Sequence, residues 1–111
     1  MTKRNRLIAG ALLAIAFTPL ATAAQEHSLS ISVKNHQFQP AQISAPANVP
    51  IVLTVKNLDP TPMEFESVSL RVEKVVTGGG TGTVRLRPLS AGSYKFFDDF
   101  HQQTNGVLVV R

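Results

Sequence analysis

The chain has 111 residues and a nominal charge of +4, from 11 lysines and arginines against 7 acids. With no cysteine, it can build neither a disulfide framework nor a thiolate metal centre. Lys3, Arg4 and Arg6 supply most of the basic excess, and beyond Ala23 the chain is close to neutral, so attraction to nucleic acid or anionic membrane is not supported.

Those three basic residues precede an apolar run from Leu7 to Phe17 and then Ala21, Thr22 and Ala23. A charged start, a short apolar segment and small residues at a cleavage position form the pattern of a secretory signal peptide, expected over residues 1–23. The apolar run is shorter than the roughly 20 residues a membrane span needs. The expected location is therefore the periplasm, reached by export, and residues 24–111 are expected to form one small domain.

Past the leader, apolar and polar residues alternate. Leu29, Ile31 and Val33 share one parity, as do Ile51, Leu53 and Val55; Val68, Leu70 and Val72; and Val84 and Leu86. Period-two alternation marks half-buried strands, and Pro40, Pro46, Asn57 to Pro60, Gly78 to Gly80 and Gly92 separate them. The expected fold is all-β, a single antiparallel β-sandwich with Greek-key connections. The glycines between Thr77 and Gly82 read as a hairpin connection, because no helix start or lysine follows them.

Two acidic stretches fall within this pattern. Carrying the Val68, Leu70, Val72 parity backwards turns Glu64 and Glu66 inward and Phe65 outward. Phe65 is the natural core residue, so a break of register, such as a bulge, is expected nearby, with the acids at the rim. Without a ligand, the same acids read as a charged edge that discourages aggregation. Further on, Tyr94, Phe96 and Asp98 share one face, with Phe97 and Asp99 on the other. Asp98 is then either an inward carboxylate needing a partner or, if the strand has ended, a solvated turn residue.

Of the histidines, His27 lies near the expected new N-terminus, and His36 is either a ligand or an exposed strand residue. His101 follows Asp98 and Asp99 on a loop, where carboxylates and imidazole together suit iron, copper(II), zinc or manganese. No serine stands at a strained elbow beside a histidine and an acid, which argues against a hydrolase triad. A sandwich of this size offers little cleft for a glycosidase, and its phenylalanines are not interleaved with basic residues as in a single-strand nucleic-acid binder.

Phe38 to Pro40, Ala45 to Val55, Asn57 to Asp59, Met63 to Phe65 and Tyr94 to Val110 together resemble the cupredoxin family over nearly the whole exported chain. Against blue-copper members, Met63 stands where a histidine is usual, Asp98 at the cysteine, His101 at the second histidine and Thr104 at the axial methionine. Only His101 matches, and a blue-copper centre depends on its thiolate. The segments His36 to Pro40, Thr61 to Ser67, Leu70 to Val76 and Phe96 to His101 are similar to a periplasmic subgroup, lacking the blue-copper cysteine, that is associated with bacterial iron uptake. That resemblance implies Cu(II) or iron bound at Glu64, Glu66, Asp99 and His101, with His36 as a further candidate; Asp98 departs from the subgroup, which often has glycine there, and is an additional candidate ligand. It also implies support for ferrous oxidation, or ferric hand-over to an inner-membrane iron permease. Turnover needs an electron acceptor, so enzymatic activity does not follow. The other reading is a metal-free interaction module that docks on a transport partner.

Overall fold

A computed structural model describes residue 15 and residues 25–111, so the expected leader lies outside the described residues. Among the described residues nine strands follow one another: β1 (His27–Lys34), β2 (Gln37–Gln39), β3 (Gln42–Ala45), β4 (Ile51–Asn57), β5 (Met63–Ser67), β6 (Val72–Val76), β7 (Thr81–Leu86), β8 (Gly92–Asp98) and β9 (His101–Val110). They form two sheets, in the orders β2-β1-β4-β7 and β3-β9-β8-β5-β6. The chain crosses between the sheets repeatedly, as expected of a Greek-key sandwich. The all-antiparallel expectation needs correction, since β1 pairs parallel with β4 and β3 parallel with β9. Alternation sets which face a residue takes, whereas strand direction follows from the long crossovers.

Inward parity builds the core. Ile31, Val33, Ile51, Leu53, Val55, Val84 and Leu86 from one sheet meet Met63, Phe65, Phe96, Leu108 and Val110 from the other, all buried. At one end three aromatic rings interlock: Phe96 lies 4.9 Å from Phe38 and 5.0 Å from Phe65 between ring centroids. Burying rings of this size contributes about 2–3 kcal/mol each. Gly106 sits opposite Phe96 in the β8–β9 register, and a Cβ there would lie 2.2 Å from the Phe96 ring. The glycine before the last apolar run is thus required by close packing.

The strand expected through Val68, Leu70 and Val72 does not form. Val68 is 81% exposed, Arg71 takes a left-handed φ of 57°, and β5 turns back into β6. Ser67 Oγ accepts a hydrogen bond from the Leu70 N–H and donates to the Lys95 carbonyl. The serine hydroxyl thus satisfies a turn and offers the backbone an alternative to a continuing ladder. The register break beside Phe65 is this turn; a separate register shift falls between Phe97 and Asp98 of β8, where β9 runs through Gln102 to Thr104 without a partner on β8.

Candidate metal centre

Strand parity and the β5–β6 turn decide where the acids go. Met63, Phe65 and Ser67 face inward, which turns Glu64 and Glu66 to the outer face of the five-stranded sheet. β8 lies beside β5, pairing Phe65 with Asp98 and Glu66 with Phe97. The chain leaving β8 is pinned there by the Asp99 N–H, which donates to the Glu64 carbonyl at 2.9 Å. The two aspartates therefore part, Asp98 going into the sandwich and Asp99 outward.

Glu64, Glu66 and Asp99 thereby gather so that one carboxylate oxygen from each lies within 4.8 Å of the others. Desolvation pushes the Glu66 carboxyl up to about 7, and the negative charges of Asp99, Glu73 and Glu64 add to it. Glu73 reaches this edge because the β5–β6 register sets it opposite Glu66, a residue sequence reasoning missed by running the strand through Ser67. Among the described residues, the ion pairs of lysine and arginine include none to these acids. Gln102 Nε2 is a neutral donor to Asp99 Oδ1, at 3.1 Å.

Asp98 belongs to a different environment. It is fully buried, and its Oδ1 accepts the Glu64 and Phe100 N–H groups, both at 3.0 Å. Its Oδ2 lies 2.8 Å from His101 Nδ1. Both oxygens are thus engaged, which offsets the cost of burying the carboxylate. His101, at the start of β9, is one-third exposed.

His36 stands on the two-residue turn between β1 and β2, where Asn35 and His36 both take left-handed φ, 51° and 56°. Such turns suit hairpin twist but are uncommon for residues with a side chain. Asp59 braces this one, its Oδ1 accepting the Asn35 N–H at 2.6 Å and its Oδ2 the His36 N–H at 3.0 Å. The His36 N–H holds the Asp59 carboxyl below its usual range; burial opposes this, and Asn35 reinforces it. Asn57 anchors the brace by accepting the Asp59 N–H at Oδ1 and donating from Nδ2 to the Thr61, Val76 and Thr77 carbonyls. The structuring roles of Asp59 and Asn57 were not anticipated; their only sequence signal was the turn-forming pattern Asn57 to Pro60.

The expected ligands accordingly fall into two groups. Glu64, Glu66 and Asp99 come together on the sheet face, while His36 and His101 come together at the end of the sandwich, ring centroids 4.0 Å apart. Asp98 supports His101 from inside.

The positions aligned with blue-copper ligands do not fit such a centre. Met63 is buried in the core, Asp98 is fully hydrogen-bonded, and Thr104 Oγ1 donates to the His36 carbonyl at 2.5 Å. With no cysteine to supply the thiolate, the centre is not a blue one. Three carboxylates at close range do fit a hard or borderline cation.

The family model for the cupredoxin-like domain matches residues 6–110, and the chain belongs to that family. An uncharacterized protein of Rickettsia prowazekii is 39% identical over 83 residues, which span 74% of this chain and 66% of that relative. The metal-binding domain of the Cu(I)-exporting P-type ATPase CopA of Streptococcus pneumoniae, solved with Cu(I), superposes with a TM-score of 0.68 at 14% identity, covering 80% of this chain and 98% of that one. A purple cupredoxin from Nitrosopumilus maritimus gives 0.60 at 18% identity, over 75% of this chain and 99% of its own. At such identities these structures show a shared fold.

Proposed function

We propose that this protein is an exported, periplasmic metal-binding member of the cupredoxin-like family that assists iron uptake. Glu64, Glu66 and Asp99 are its principal ion-binding residues. The observation that carries this reading is the gathering of three carboxylates within 4.8 Å, with no ion pair to lysine or arginine among the described residues. Like charges held this close repel, and a bound cation reverses the sign of that interaction. Anionic oxygen donors favour Fe(III) over Fe(II), so the cluster suits the product of ferrous oxidation and its hand-over to an inner-membrane iron permease. Cu(II) is the alternative occupant, supported by the copper-binding relatives of the fold.

Titration of the purified protein with ferric citrate and with Cu(II), monitored by equilibrium dialysis, tests the reading. Wild type should bind Fe(III), and a Glu64→Gln, Glu66→Gln double variant should bind it at least about tenfold more weakly, the loss of two anionic ligands being worth more than 1.4 kcal/mol. Equal Fe(III) binding by both proteins, or none by either, overturns the assignment. The metal-free docking module would then be the better account.

A further inference from the structure

We propose that the outer face of the five-stranded sheet is a dimer interface, on which a second copy of this chain packs about a two-fold axis. The two outer faces of the sandwich differ in character. On the four-stranded sheet, Ser30, Thr54 and Thr83 stand side by side, with Ser28, Ser32 and Arg85 around them. On the five-stranded sheet, Phe97, Val107 and Val109 face outward, and Val75 beyond Glu64 is 52% exposed. A sheet with one face in water alternates apolar and polar residues, whereas a sheet covered on both faces reads as a continuous apolar run. Val107 to Val110 is such a run, with Leu108 and Val110 turned into the core and Val107 and Val109 away from it.

An open groove of about 510 Å³ crosses the same face, lined by Val68, Ser69, Ser93, Lys95, Phe97 and Asn105. Val68 stands on the turn after β5 with its side chain almost wholly in solvent. Apolar surface gathered in this way, rimmed by charge, marks an interaction site. Edge-to-edge joining through β6 is disfavoured, because Glu73 and Lys74 lie along that edge. The face is therefore the surface to be covered.

Charge identifies the occupant as another copy. Lys95 is the one cation among the outward strand positions of this sheet, and it makes no ion pair among the described residues. The register sets Glu73, Glu66 and Phe97 in one row across β6, β5 and β8, with Lys95 two residues further along β8. A two-fold axis crossing the strands between these two levels brings Lys95 of each copy over the acidic row of the other. There the exposed Glu73 pairs with it, while Val68 and Phe97 of the two copies close over the groove. The patch thus holds both members of the ion pair, as an isologous interface requires. Five strands about 4.8 Å apart are roughly 20 Å across, at the low end for a stable complex, so dissociation in the micromolar range is expected.

Sedimentation equilibrium of the purified protein at low salt, with a chelator present, tests the interface. Wild type should pass from monomer to dimer as its concentration rises through the micromolar range. Lys95→Glu and Glu73→Lys should each weaken the dimer by about tenfold or more, since each sets like charges against one another. The double reversal, Lys95→Glu with Glu73→Lys, should restore it. Val68→Asp should weaken it without rescue by either reversal. All three positions are exposed, so circular dichroism should show every variant folded. A monomer at every concentration would overturn the proposal and leave the face to a different partner. Single reversals that dimerise like wild type, or a double reversal no tighter than the singles, would overturn it too. None of the three clustered carboxylates is altered and no metal is present, so this proposal and the metal reading fail independently.

Discussion

Asp59 and Asp98 differ from Glu64, Glu66 and Asp99 in what surrounds the same chemical group. The first two are buried and accept two backbone N–H groups each, with an imidazole nitrogen beyond. The other three are half-buried on a sheet face and lie against each other. A carboxylate supplied with donors stabilises the backbone it grips. A carboxylate crowded by others weakens the fold until a cation joins it. The chain thus uses one chemical group for two opposite ends, and the donor count tells them apart.

Removing a gripping carboxylate gives the largest expected effect. Asp98→Ala orphans the Glu64 and Phe100 N–H groups and frees His101, and should lower the unfolding free energy by about 3–4 kcal/mol. Urea denaturation measures it, and a loss no larger than that of an average surface substitution would erase the distinction drawn between the two kinds of acid. Next, Asp59→Ala should cost about 2–3 kcal/mol by releasing the β1–β2 turn. Its pH signature is specific. Because the Asp59 carboxyl is held below its ordinary 3.8, its contribution is complete above that value and disappears as pH falls through the lower folded value. Asp59→Asn should therefore flatten the acid limb of the stability profile while leaving the slope above pH 5 unchanged.

Glu66→Gln carries the smallest effect, and its sign is the reverse. The Glu66 carboxyl is raised from 4.5 to about 7, so folding favours its protonated form. The stability associated with that proton is complete at acid pH and falls away as pH rises from about 4.5 to about 7. Metal-free Glu66→Gln should thus match wild type near pH 4 and exceed it above pH 7, as thermal melts at the two pH values would show. Loss of stability above pH 7 would place Glu66 among the structural carboxylates. Since a metal displaces the same proton, affinity of wild type for Fe(III) should also rise up to about pH 7.

Much of this contrast was legible in the chain. Alternation alone put Glu64 with Glu66 and sent Asp98 and Asp99 to opposite faces, because a strand has a side-chain period of two. Parity left Asp98 open between an inward carboxylate and a solvated turn residue; it is buried, and the Glu64 N–H that it accepts comes from a neighbouring strand that parity does not identify. At Val68 the pattern misled: β-branched residues at alternate positions imitate a strand, while Ser67 closes a turn. That error hid Glu73, which faces Glu66 only once β6 folds back on β5.

By itself the sequence determined the all-β sandwich, the absence of a thiolate centre and the pairing of Glu64 with Glu66 on one face, while which face that is was decided by the turn after Ser67. These follow from residue chemistry and local periodicity. Only the tertiary structure decided that the expected ligands divide into a carboxylate cluster and an imidazole pair. That division depends on β5 lying beside β8, on β1 running parallel to β4, and on the β1–β2 turn reaching the start of β9. Contacts between residues so far apart in the chain arise from packing two sheets over a common core, which no local pattern encodes.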